Sequence, residues 1–279
     1  MINNGVFDTH CHLMSKHYVE DEILKLLNDA YLAGVGSICN VGFDLKTSKQ
    51  AVSQIYQFDN ENQIPNLYAA VGIHPTEVNN CDDDTIFELK KLIQTGKVVA
   101  IGEIGLDYYH KFTTPKLQKK WFIKQLSLAK EHKLPVLLHI RDAFDDAFDI
   151  IKQENITNGI LHCFTGTKEI AQKFIKQGFY ISFAGNLTYK NAVNLQIIVK
   201  QLPLNRILTE TDAPYLTPEP KRGKNPKNGL TINYPENIVF TVNKIAELKN
   251  IPKQSVINAT HENAIMIFKL TNEKENSNE

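Results

Sequence analysis

The sequence predicts an α/β fold, a single-domain (β/α)8 TIM barrel, on three observations. Eight short segments are apolar almost without interruption, and each is followed by a longer segment of helical periodicity. The first of them runs into DTHCHL rather than into the Gly-rich phosphate loop that an open doubly wound sheet would more usually carry. A strand that is apolar at every position is buried on both faces, which is the state of a parallel sheet covered by helices.

In chain order the strand segments are GVFDTH, GSICNVG, LYAAVGIHP, VVAIGEIG, LPVLLHI, GILHCF, GFYISFAG and NRILTETD. The clearest helix is TPKLQKKWFIKQLSLAKEHK, where Leu117, Trp121, Phe122, Leu126 and Ala129 share one face. Thr114 is its expected N-cap, and Pro115 occupies the first helical position, where a missing N–H costs nothing. PKQSVINATHENAIMIF gives a last helix. Residues 1–268 are therefore read as one barrel domain and residues 269–279 as a polar tail, expected to be disordered. The longest irregular stretch, residues 213–235, follows the eighth strand, which puts it over the barrel mouth as a substrate loop.

Composition narrows the function classes. Lysine plus arginine equals aspartate plus glutamate at 31 each, so no global basic field recruits nucleic acid or an anionic membrane, and a polyanion must be held locally. Cys11, Cys39, Cys81 and Cys163 lie far apart without a CxxC pair, as expected of free thiols in a reducing compartment. No apolar run approaches the ~18 residues of a membrane span, and the N-terminus has no signal-peptide pattern. A cytoplasmic protein, without a membrane partner and acting as a monomer, is the expectation.

In a barrel of this kind chemistry sits at the C-terminal strand ends. Those ends carry His10, His12, His74, Glu103, His139, His162 and Asp212, so five of the nine histidines gather there. Two histidines at i and i+2 on a strand face the same way, so His10 and His12 can turn toward one ion. Each residue alone has an ordinary explanation: a hydrogen-bonded core histidine, a salt-bridged carboxylate, an N-cap. Converging on one mouth, they point to a divalent metal site, with Glu103 placed to bridge two ions and compensated by them after the apolar VVAIG. Arg141 is read as a phosphate clamp or as a structural ion pair with Asp142. His74 is a seventh ligand or a phosphate donor, Asp107 and Tyr109 shape a loop, and PKRGKNPK is a candidate phosphate-binding cluster.

The motifs DTHCHL, GIHP, GEIGLDYY, LLHIRDA, LHCFTG and TETDAPYL, in that order from about Phe7 to about His261, resemble the signatures of the TatD family of metal-dependent deoxyribonucleases. The resemblance implies a two-metal site: His10, His12 and Asp212 on one ion, His139 and His162 on the other, Glu103 bridging, and His74 near the scissile phosphate. One departure is the loop RGKNPKNGLTINYPENI, longer than the family's usual form, which bears on substrate preference. The function expected is phosphodiester hydrolysis by a water activated between two divalent ions (Mg²⁺, Mn²⁺ or Zn²⁺), with Glu103 and Asp212 as the catalytic carboxylates and His74 and Arg141 binding substrate. The expected substrate is single-stranded or frayed DNA, degraded 3′ to 5′. The alternative is a D-aminoacyl-tRNA deacylase using the same site for ester hydrolysis, and a non-catalytic scaffold would require a lost ligand, of which there is none.

Overall fold

The computed structural model describes residues 5–223 and 231–270. The elements alternate as β1 (Val6–Cys11), α1 (Ile23–Leu32), β2 (Val35–Val41), α2 (Leu45–Phe58), β3 (Asn66–Val71), α3 (Asp83–Ile93), β4 (Val98–Asp107) and α4 (Pro115–His132). They continue as β5 (Val136–Arg141), α5 (Phe144–Gln153), β6 (Gly159–Leu161), α6 (Lys168–Lys176), β7 (Tyr180–Phe183), α7 (Val193–Gln201), β8 (Ile207–Thr209), α8 (Ile238–Lys249) and α9 (Lys253–Phe268). The strands pair in sequence order, and every neighbouring pair is parallel. Closure between β8 and β1 rests on a parallel bridge from Cys11 to Ala213, with Asp212 N donating to His10 O (2.9 Å) and His12 N to Ala213 O (2.8 Å). Below it, Thr9 Oγ1 donates to Thr209 O at 3.1 Å. The result is the (β/α)8 barrel.

Helix ends follow local chemistry. Thr114 accepts from Leu117 N at the start of α4 with Pro115 in the first turn, and α2 and α3 begin with capping boxes, Asp44 with Thr47 and Asp82 with Thr85. The face expected of α4 is packed inward: Trp121, Phe122, Leu126 and Ala129 are buried, and Leu117 is partly buried against the core.

Inside the barrel, Phe7, Cys39, Ala70, Ala100, Leu137, Ile160, Tyr180 and Leu208, one from each strand, form a cluster with Ala264, Ile267 and Phe268 of α9. Helix α9 therefore closes the N-terminal end. His261 on the same helix meets Gly5 O through Nδ1 (3.0 Å), and Asn263 Nδ2 donates to Leu204 O and Ile207 O.

Two register shifts lie where the opposite end is built. One falls between Asp8 and Cys11, the other between Ile101 and Ile104. A bulge re-aims a side chain, and these two frame His10 and Glu103. Gly105, at φ +146°, has the carbonyl of His139 where a β-carbon would go, so a glycine is required for β4 to pass this close to β5. Of the expected tail, residues 271–279 lie outside the described residues, as do residues 224–230 of the long loop and of the PKRGKNPK cluster. The described ends of that loop are joined by Asn233 N donating to Pro214 O (2.9 Å) and Thr217 Oγ1 to Thr231 O (2.7 Å). No helix among the described residues is long and apolar enough to cross a membrane.

Candidate metal centre

The structure brings all six expected ligands to the C-terminal mouth. His10 Nε2 lies 3.3 Å from His12 Nε2 and 3.9 Å from Asp212 Oδ1, while His12 Nε2 is 3.5 Å from Asp212 Oδ1. Glu103 Oε2 joins this group at 3.6 Å from His10 and 3.9 Å from His12. Metal–nitrogen bonds of ~2.1 Å meeting near tetrahedral angles would put donors roughly 3.4 Å apart, which is the spacing seen. Val41 O contacts His12 Nδ1 at 2.7 Å, which places that ring's proton on Nδ1 and its lone pair on Nε2, toward the group.

The other oxygen of Glu103 faces a second group. His139 Nδ1 stands 2.9 Å from Oε1 and His162 Nε2 2.8 Å, so two imidazoles converge on one carboxylate oxygen. Glu103 thus offers one oxygen to each set. It sits inside β4, not at its end, because that strand runs four residues further to Asp107. Within the described residues, His10, His12 and Asp212 form one cluster able to hold a metal, and Glu103, His139 and His162 form another.

Three buried carboxylates around the centre were not foreseen in these roles. Asp107, read from sequence as a loop-shaping residue, accepts at Oδ2 from His139 Nε2 (3.0 Å) and from His110 Nδ1 (2.8 Å). This fixes His139 with Nδ1 toward Glu103. Glu210 Oε1 accepts from Cys163 N and lies 3.3 Å from His162 Nδ1, close but not aligned as a hydrogen bond. Its Oε2, His162 Nδ1 and His10 Nδ1 are buried without hydrogen-bond partners among the described residues, and the His10 and His162 rings stack with centroids 4.0 Å apart. A carboxylate beside the rear nitrogen of His162 is the second half of a carboxylate–histidine–metal arrangement, which leaves the Nε2 of that ring free for metal. Asp8 accepts from Thr211 N (2.9 Å) and shares a hydrogen with Thr211 Oγ1 (2.6 Å), tying β1 to the segment after β8. The signal for Glu210 and Asp107 was present in TETD and GLDYY, but their partners lie 47 and 32 residues away.

His74 sits beside the centre, its Nε2 3.7 Å from Glu103 Oε1 and its ring edge-on to His139. Thr76 meets His74 Nδ1 through both its hydroxyl (2.6 Å) and its N–H (3.2 Å), which holds that edge of the ring and turns Nε2 toward the centre. Arg141 is exposed, and among the described residues it makes no ion pair with Asp142; its guanidinium lies over the Tyr109 ring, 3.8 Å from the centroid.

The charges are balanced inside the site. Burial would raise the Glu103 carboxyl, but His162 and His74, with hydrogen bonds from His10 and His139, hold it well below the usual carboxylate range. Burial would likewise raise Asp212, and His12, His162 and His10 bring it below its ordinary value. His162, His139 and His12 are raised despite burial by their carboxylate neighbours, whereas burial and the neighbouring His162 lower His10. Burial and His139 lower His74 to about 3, so it is neutral at physiological pH. Cations in place of the ring protons would satisfy the same carboxylates, so the donor set fits divalent metal.

Comparison with known proteins agrees with the geometry. The family model described as TatD related DNase matches residues 7–269. An uncharacterized metal-dependent hydrolase of Bacillus subtilis, YabD, is 38% identical over 267 residues, covering 95% of this chain and 99% of the relative. The crystal structure of YjjV, a TatD homologue from Escherichia coli, superposes with a TM-score of 0.85 at 30% identity, covering 97% of this chain and all of that one. A TatD-family hydrolase from Entamoeba histolytica gives a TM-score of 0.87 at 26% identity, with 97% of this chain and 100% of that chain covered.

Proposed function

The chain belongs to the TatD-related DNase family of metal-dependent hydrolases, and from that premise we propose that it is a deoxyribonuclease using two divalent ions, acting 3′ to 5′ on single-stranded or frayed DNA. The observation that carries this reading is Glu103, whose two oxygens each complete a separate donor set. His10, His12 and Asp212 would hold one ion and His139 and His162 the other, with Glu103 offering an oxygen to each. When bound, such a pair supplies Lewis-acid charge to a phosphate oxygen and lowers the pKa of water toward neutrality. Mg²⁺, Mn²⁺ and Zn²⁺ all accept subsets of these donors, and the number of imidazoles favours Mn²⁺ or Zn²⁺ over Mg²⁺.

The remaining work falls to the protein. Asp212 is the most solvent-accessible of the three groups of its donor set, with 13% side-chain exposure. It stays ionised, so it orients the incoming water and accepts its proton. His74, neutral and held at Nδ1 by Thr76, turns Nε2 toward the space beside Glu103; in the tautomer with the proton on Nε2 it donates to a non-bridging phosphate oxygen without adding charge. Arg141, free of acidic partners among the described residues, binds a phosphate of the adjoining nucleotide. In a chain of balanced charge the attraction for DNA is local to this mouth, which suits a strand end better than the middle of a duplex.

The test strips the protein with chelator and restores Mg²⁺, Mn²⁺ or Zn²⁺ in turn. A 5′-labelled single-stranded oligonucleotide is followed beside a D-aminoacyl-tRNA, with Asp212→Ala as the control. A metal-dependent ladder shortening from the 3′ end and absent in the variant is expected. Intact DNA with a cleaved acyl bond would move the protein to the deacylase reading, and only internal cuts in duplex would sink the 3′ bias.

A further inference from the structure

We propose that Tyr109, Phe112 and Arg141 form a stacking subsite for the nucleobases of a single strand, directly beside the metal centre. This rests on the nuclease reading above and deepens it by assigning where the bases go.

Three independent observations support it. First, the segment after β4 exposes aromatic faces: Tyr109 is 56% and Phe112 68% accessible. His110 stands between them, edge-on to Tyr109 with centroids 5.0 Å apart and parallel to Phe112 at 5.6 Å and 9°. Single exposed aromatics are common on any surface, but three rings within four residues at the mouth form a patch.

Second, the backbone that carries them is pinned. Gln118 brackets Asp107, accepting from its N–H and donating to its carbonyl, each at 2.8 Å. Asn79 Nδ2 donates to Phe112 O (2.9 Å) and Thr113 Oγ1 to Pro75 O (2.7 Å). The rings are therefore held before any ligand arrives, which lowers the ordering cost of binding. Asp107 accepts from His110 and from His139 at the same oxygen, so the patch is one carboxylate away from a candidate metal ligand.

Third, the chemistry of the patch selects its occupant. The exposed Arg141 guanidinium lies over the Tyr109 ring, 3.8 Å from its centroid, so a planar cation adjoins the rings, and Lys111 lies in the same segment. Planar π-faces interleaved with cations match an unstacked strand, whose bases stack on aromatic rings and guanidinium planes while its phosphates meet positive charge. An apolar peptide would use the rings and leave the cations unanswered. Stacking of this kind accepts any base, so the subsite confers a preference for single-stranded over paired DNA and none for sequence.

The experiment uses the metal-loaded full chain and an oligonucleotide with 2-aminopurine placed in turn at each of its three 3′-terminal nucleotides, with phosphorothioate linkages that slow cleavage. Stacking on an aromatic ring quenches this base. Quenching on binding is expected for the wild type at one or more positions. In Tyr109→Ala/Phe112→Ala the quenching should be lost and the dissociation constant should rise about tenfold. Tyr109→Phe, which keeps the ring, should retain the quenching. So should Phe87→Ala, which removes an equally exposed ring (57%) from the outer helix α3. Arg141→Lys, which keeps the charge and loses the plane, should weaken binding by a smaller factor. That pattern supports the subsite whether or not a strand is cut, and a strand of the same sequence with ordinary phosphodiester linkages that is bound but left uncut would count against the nuclease reading alone. Unchanged quenching and affinity in the double variant would overturn the subsite, and cleavage by the same protein would leave the nuclease reading standing. Failure of the wild type to bind any oligonucleotide would overturn both.

Discussion

The two ends of the barrel both bury histidine, and they bury it differently. At the N-terminal end His261 lies on the inner side of α9 with its Nδ1 on Gly5 O and its ring beside Phe7, and burial lowers its pKa. At the C-terminal end His10 and His162 stack face to face with unpartnered Nδ1 atoms and with Nε2 atoms crowded by other donors and carboxylates. His261 is satisfied by its own chain; His10 and His162 keep nitrogens for which the described residues offer no partner. Among the described residues, single unpartnered polar atoms also lie at the strand starts, on Ser37 and Asn66, but those of His10, His162 and Glu210 fall in one cluster able to hold a metal, and that grouping marks the end suited to chemistry.

The largest effect that sharpens this contrast is Glu103→Ala, which removes the group shared by both donor sets. Activity should fall on the order of 10³-fold or more, with the metal-free melting temperature little changed. Steady-state kinetics and a thermal melt check both halves, and a large drop in stability with residual activity would break the distinction. The mirror experiment is Phe268→Ala at the closed end. Deleting a buried aromatic should cost about 3–5 kcal/mol in denaturant titration and leave kcat per folded molecule unchanged.

A smaller effect separates the two kinds of histidine. Glu210→Ala should weaken metal binding by about 10–100-fold in calorimetry, since it removes the carboxylate beside the rear nitrogen of His162, and Glu210→Gln should recover part of it. His261→Ala should not change metal affinity. The smallest effect concerns Asp8, which burial raises to about 8 despite its bonds to Thr211. A carboxyl raised in the folded state holds its proton more tightly there, so its contribution to stability falls as pH rises from its unfolded value of ~3.9 toward that value. Asp8→Asn mimics the protonated form. Its stability relative to wild type should therefore grow between about pH 4 and 8, by at least about 1 kcal/mol in matched melts, and level off above. A gap that shrinks with pH would mean that Asp8 is ionised in the native state.

The fold was legible because burial on two faces leaves runs such as VVAIGEIG and LPVLLHI with hardly a polar residue. The candidate ligands that the mouth gathers were legible because their types and their position after those runs are visible without knowing any contact. What escaped depends on pairing across the barrel. Asp107 reads as a loop residue until His139 is seen on its oxygen, and Arg141 reads as the partner of adjacent Asp142 until its plane is seen on Tyr109. Glu103 was placed at a strand end, whereas β4 continues past it through a register shift that spacing does not reveal. Glu210 lies two residues before Asp212 in TETD, and only the stacked rings of His10 and His162 show what it faces.

The central claim is that Glu103 joins two ions in one site. Electron paramagnetic resonance of chelator-stripped protein titrated with Mn²⁺ tests it most directly. The account predicts two Mn²⁺ per chain and an exchange-coupled spectrum from a carboxylate-bridged pair, reduced to isolated Mn²⁺ signals in Glu103→Ala. A single ion per chain, or two that remain uncoupled in the wild type, would contradict it.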